Sequence, residues 1–171
     1  MSAAVVEDRA TDAFQDLITP LLDPAYRLAT SLLHDRDEAE DAVQEAAIKA
    51  WRGLPRLRDP QRARAWFLAI VVNECRMALR RPWWKVIRQA VVPERPAQPT
   101  DSTVSSLDLA RGLAALPAED RAVLFLYYWL DLPLQEVAAA TGASLGATKS
   151  RIYRAARRLR PDLAEEEAFA R

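Results

Sequence analysis

Between Ala143 and Pro161 the chain carries six Lys or Arg residues and no Asp or Glu. Leu145, Thr148, Ile152, Ala156 and Leu159 recur through the same stretch at three- and four-residue spacing. At about 100° per residue this gathers them on one side of a helix. Ser150, Arg151, Arg154, Arg157 and Arg158 then project from the other. Upstream, Val137, Ala138 and Ala139 precede Gly142, so the segment reads as two amphipathic helices joined by a tight glycine turn, a helix-turn-helix. Such a helix fits the DNA major groove: side chains near its start reach base edges, and later arginines hold phosphates. A basic face that merely meets solvent usually mixes Glu with its Lys and Arg for local pairing, and this one does not.

The whole chain nevertheless balances 24 basic against 24 acidic residues. Neutrality is an average over blocks of opposite sign. Met1 to Ile48 holds eleven acids against Arg9, Arg27 and Arg36, whereas Arg56 to Arg88 holds nine basic residues against Asp59 and Glu74. Two separate basic surfaces on a neutral chain suit a polyanion contacted at two places better than a nonspecific coat.

Enzymatic chemistry finds little to work with. There is no glycine-rich phosphate loop, no Cys/His metal spacing and no nucleophile with its base. His34 and Cys75 are each the sole residue of their type, so neither a catalytic site nor a metal or other cofactor is expected. Cys75 lies within a helical pattern and reads as buried packing.

The elements that must position these residues are helical. Four glycines among 171 residues, with abundant Ala, Leu, Arg and Glu, leave too few turn residues for hairpins and predict an all-α fold. A first helix is expected over about Phe14 to Leu33, with Pro20 and Pro24 interrupting it. A second starts at Asp35 or Asp37, acidic cap residues at the positive helix end, and runs to about Leu54. A third spans about Gln61 to Arg81 and stops before Pro82. Pro93, Pro96 and Pro99, followed by a Thr/Ser/Asp cluster, predict a flexible linker over 82–106. It joins two small helical domains, 1–81 and 107–171. The second domain is expected to pair Leu107 to Leu116 with Pro117 to Leu130, to add the helix-turn-helix, and to end in a short acidic tail. The longest apolar runs, Ala65 to Val72 and Ala122 to Leu130, fall short of the roughly 18 to 20 residues that span a bilayer. No membrane insertion is expected, and the absence of an export leader together with the single cysteine points to the cytoplasm.

The segment LPAEDRAVLFLYYWLDLPLQEVAAATGASLGATKSRIYRAARRLR resembles region 4 of the extracytoplasmic-function (ECF) group of the sigma-70 family. LLHDRDEAEDAVQEAAIKAWRGL with RARAWFLAIVVNECRMALRR is similar to region 2 of the same group. The resemblance implies a non-enzymatic RNA polymerase sigma factor that binds core polymerase and directs promoter-specific initiation. It implies contact with the β′ clamp helices and the β flap, and an anti-sigma factor as a candidate partner. For core polymerase binding it implicates Asp37, Glu38, Asp41, Gln44, Glu45 and Trp51. For the −10 promoter element, whose melted strand needs positive charge and base contacts, it implicates Arg62, Arg64, Asn73, Arg76, Arg80 and Arg81. For the −35 element it implicates Lys149, Ser150, Tyr153 and Arg154, with Arg151 and Arg158 on phosphates. Trp66 matches a core tryptophan of the family. Ala63 stands where the family often has an aromatic residue, Ala147 and Thr148 where Thr and Val are common, and Pro133 where Ser often caps a helix. The alternative is a helix-turn-helix regulator that binds DNA as a dimer without joining polymerase; it has no need of the acidic and Trp-containing basic helices between Asp37 and Arg81.

Overall fold

Proline and capping residues set the element boundaries of the first half. A computed structural model describes residues 11–81 and 104–159, and among these every regular element is helical. Residues 11–17 are helical, Pro20 forces a tight turn at Thr19–Leu21, and α1 follows at Leu22–Leu33. Pro24 is tolerated because it lies in the first turn of α1, where backbone N–H groups have no partner within the helix. His34 ends α1 in the left-handed region, φ 56°. Asp35 then starts α2, Arg36–Gly53, its carboxylate accepting from the Glu38 backbone N–H at 3.0 Å. After short turns at Leu54–Arg56 and Pro60–Arg62, α3 covers Ala63–Arg80.

Backbone contacts divide the chain into two compact units, Met1–Arg81 and Pro82–Arg171. In the first, α1, α2 and α3 pack against one another. Alpha2 contributes Ala39, Ala42, Val43, Ala46 and Ala50, a narrow face that lets its neighbours approach closely, and α3 fills the space with Phe67, Leu68, Val71 and Val72. Each of these larger side chains contributes about 1.5 to 3 kcal/mol through burial. Cys75 lies in this core, as its helical pattern predicts. Glu74 beside it is also buried and meets the Lys49 ammonium of α2 at 2.7 Å, which compensates a carboxylate removed from water.

The second unit begins with α4, Val104–Ala115, whose first turn takes in three residues expected to belong to the linker. Alpha5 runs over Ala118–Leu124, with Pro117 as its N-cap, one position earlier than the first-turn place expected for it. Buried Arg121 of α5 donates to the carbonyls of Ala114 and Leu116. It thereby satisfies acceptors that the end of α4 leaves without helical partners. The helix expected to continue to Leu130 instead widens into a π turn at Phe125–Trp129, closed by Leu130 N–H on Phe125 O at 3.0 Å. Alpha6, Leu134–Thr141, and α7, Leu145–Leu159, complete the unit. The tandem Trp83 and Trp84, most of the expected linker and the acidic tail lie outside the described residues. No helix among the described residues is long and apolar enough to cross a membrane.

Candidate functional surfaces

The turn between α6 and α7 is built from backbone rules. Gly142 takes φ 63°, a left-handed conformation that costs glycine little. Its N–H reaches Ala139 O at 3.2 Å and the N–H of Ala143 reaches Ala138 O at 3.0 Å, the paired bonds of a Schellman cap. Ser144 opens α7, its hydroxyl accepting from the Ala147 N–H at 3.2 Å while its carbonyl receives the Thr148 hydroxyl at 3.0 Å. Pro133 stands at the N-cap of α6 and makes no side-chain cap; its carbonyl receives the N–H groups of Glu136 and Val137.

Alpha7 buries Thr148, Ile152 and Ala155. The side predicted from spacing is therefore rotated: Leu145 is 46% exposed, and Ala155 takes a buried place. Alpha4, α5 and α6 all pack on α7; the small Ala155 is fully buried there, and Leu145 at the helix start stays exposed. Lys149, Ser150, Tyr153, Arg154 and Arg157 are exposed. Arg151 and Arg158 are not simply part of that open face. Arg151 Nη1 lies 3.3 Å from Glu119 Oε2, and Arg158 Nη1 donates to Asp120 Oδ2 at 3.0 Å. The acids missing from α7 are supplied by α5.

In the first unit, Asp37, Asp41, Gln44 and Glu45 lie exposed on α2. Gln44 donates to Glu40 at 3.3 Å. Glu38 is half-buried and its carboxylate lies 3.7 Å from Arg81 Nη1, so one candidate for polymerase contact pairs with one candidate for DNA contact. Trp51, at the far end of α2, is partly exposed and meets Phe14 edge to face, with ring centroids 5.4 Å apart. Between the acids and Trp51 the structure exposes Ile48, which sequence reading missed. Its signal was available, since residues 41, 44, 45 and 48 share one helix face.

Alpha3 brings together only part of its expected set. Asn73, Arg76 and Arg80 follow a stripe of three- and four-residue steps with Met77, whose sulfur lies 3.8 Å from Asn73 Nδ2, and Arg81 follows at the helix end. Arg62 and Arg64 are exposed at the opposite end, about 13 to 16 Å along the axis from Asn73. They belong to the entry turn and not to the stripe. Ala63 between them is buried.

A second unanticipated feature follows α5. Phe125 and Trp129 stack with centroids 5.8 Å apart, Tyr127 and Tyr128 meet edge to face, and Trp129 is 66% exposed. The π turn adds a residue to the helical repeat and so rotates Tyr128 and Trp129 outward. Periodicity at 3.6 residues could not place them; the run of three aromatics, Tyr127 to Trp129, was the only hint. Among the described residues no group of three or more His, Cys, Asp or Glu could hold a metal ion.

Comparison with known proteins agrees with this layout. Residues 17–85 match the family model for sigma-70 region 2. Residues 106–159 match that for sigma-70 region 4. The RNA polymerase sigma factor SigV of Bacillus subtilis is 30% identical over 142 residues, covering 83% of this chain and 86% of that protein. The ECF RNA polymerase sigma factor SigL of Mycobacterium tuberculosis is 33% identical, covering 82% of each. Among solved structures, the sigma factor RpoE of Bartonella quintana, crystallised with the anti-sigma factor NepR, matches with a TM-score of 0.73 and 26% identity over 86% of this chain and 94% of that one. CnrH, solved with the cytosolic domain of CnrY, matches with a TM-score of 0.60 and 25% identity, over 88% of this chain and 91% of that one.

Proposed function

The chain belongs to the ECF group of the sigma-70 family of RNA polymerase sigma factors, and we propose that its two units divide promoter recognition between them. Its relatives are transcription initiation factors, and the chain acts as a non-enzymatic specificity subunit of polymerase in the cytoplasm. The observation that carries this reading is the separation of the two surfaces by chemistry: an acidic face on α2 in one unit and a basic groove-reading face on α7 in the other.

The domain over 1–81 takes the region 2 role. Asp37, Glu38, Asp41, Gln44, Glu45 and Trp51, joined by Ile48, dock on the β′ clamp helices, where acids steer and orient a basic partner and the apolar pair supplies buried area. Asn73, Arg76, Arg80 and Arg81 hold the melted −10 strand, and Arg62 and Arg64 meet its backbone from the entry turn. The segment between α3 and α4 passes between the domains through polymerase. The domain over 107–171 takes the region 4 role: Lys149, Ser150, Tyr153 and Arg154 read the −35 element in the major groove. Tyr128 and Trp129 form an apolar surface suited to the β flap. An anti-sigma factor is a partner of the kind seen with the RpoE relative, and it would cover these same surfaces.

The test is to mix the purified protein with sigma-free core polymerase and transcribe a fragmented genomic library. Discrete transcripts sharing two upstream motifs are expected. Tight duplex binding with no association with core polymerase would instead indicate a regulator that works apart from it.

A further inference from the structure

Asp120 of α5 stands between two arginines of α7. Its Oδ2 accepts from Arg158 Nη1 at 3.0 Å and its Oδ1 lies 3.8 Å from Arg151 Nε, while Glu119 Oε2 takes Arg151 Nη1 at 3.3 Å. The Asp120 side chain is only 16% exposed. Arg151 and Arg158 are seven residues apart and so lie above one another on the same flank of the helix, about 100° to 120° round from the buried stripe centred on Ile152.

We propose that Asp120, acting through Arg151 and Arg158, is a positioning residue that sets the rotation of α7, and that these two arginines work inside the domain instead of on DNA phosphates. The inference deepens the assignment of α7 as the −35-reading helix and rests on it. Packing alone keys the rotation weakly, because the buried face of α7 consists of Thr148, Ile152 and Ala155, with one bulky side chain among them. Guanidinium–carboxylate bonds are directional. The bond from Arg158 to Asp120 and the bond from Arg151 to Glu119 hold two turns of one flank, Asp120 adding an ion pair to Arg151 at 3.8 Å, and together they resist both rolling and sliding. The precision matters: a roll of about 20° moves a side chain on the outer face by about 2 Å, enough to break a hydrogen bond to a base edge.

The alternative readings of these residues predict opposite signs. If Asp120 only places negative charge near a polyanion, removing it tightens DNA binding. If Arg158 is a phosphate ligand, removing it lowers the slope of log K against log salt by about 0.9. The experiment uses the full chain bound to core polymerase. The probe is a duplex carrying the upstream element that the unmodified protein enriches from randomised DNA, titrated over a series of KCl concentrations.

Positioning predicts that Asp120→Asn and Arg158→Gln each weaken specific binding by about threefold to tenfold and relax base preference at the element. The salt slope stays at the unmodified value, Asp120→Glu restores most of the affinity, and Arg154→Ala loses affinity as the direct-contact control. Thermal unfolding of each variant separates these losses from loss of fold. Should Asp120→Asn fail to fold, Arg158→Gln at its exposed site still decides the matter through the slope. Tighter binding by Asp120→Asn, or a slope reduced by about 0.9 in Arg158→Gln, overturns the inference while leaving α7 as the reading helix. Failure of the unmodified protein to enrich any upstream element removes that assignment and this inference with it.

Discussion

A Cβ built at Gly53 would stand 2.9 Å from Cζ2 of Trp66, so the last residue of α2 leaves room for an indole carried by α3. Gly53 has φ −91°, a backbone geometry open to any residue; glycine is needed here for space. Trp66, which the family resemblance places in the core, is half-buried against it.

Gly53→Ala sets two effects against each other. Alanine improves helix propensity by up to about 1 kcal/mol, less at a helix end, and overpacking against a ring costs about 1 to 3 kcal/mol. The clash wins. Urea unfolding is expected to show a loss of about 1 kcal/mol; a gain would mean that Trp66 shifts freely.

Asp35→Ala removes the carboxylate that receives the Glu38 N–H at 3.0 Å. A lost N-cap costs about 0.5 to 2 kcal/mol, and the turn it secures bears Asp37 and Glu38. Chemical denaturation is expected to show that loss, with Asp35→Asn retaining most of the stability because the amide oxygen can still accept.

Cys75 has its thiol pushed up from 9.0 to about 12, first by burial and then by the neighbouring Glu74 carboxylate. Thiol reagents at pH 8 are expected to leave it unmodified in the folded protein and to react once the chain is unfolded. Between pH 9 and about 12 the unfolded state binds fewer protons than the folded one. Stability therefore falls as pH rises through this window, and the Cys75 contribution to that slope is absent in Cys75→Ala.

Much of this was legible because the signals were local. Asp35 and Gly142 mark chain turns by their own backbone chemistry, and the three- and four-residue steps around Ile152 report a helix that packs by one face. The losses occurred where tertiary packing decides. Leu145 reads as core by spacing, yet it is exposed at the start of α7 while Ala155 is buried. Arg151 and Arg158 read as free cations because α7 has no acids, and their partners Glu119 and Asp120 lie more than thirty residues away in sequence. Arg121 belongs to a residue type that is mostly exposed, and it is buried here because Ala114 and Leu116 offer it carbonyls. The π turn at Phe125–Trp129 breaks the period on which spacing arguments depend.

The central claim is that α2 and α7 carry separable functions, and paired binding measurements on Glu45→Lys and Arg154→Ala test it most directly. Both residues are exposed, so neither substitution disturbs the core. Glu45→Lys is expected to weaken core polymerase binding by about tenfold or more through charge reversal at the interface, with duplex binding by the free chain unchanged. Arg154→Ala is expected to cost about 1 to 3 kcal/mol in binding to the upstream element and to relax its base preference, with core polymerase affinity intact. Equal loss of both activities in either variant would contradict the division of labour.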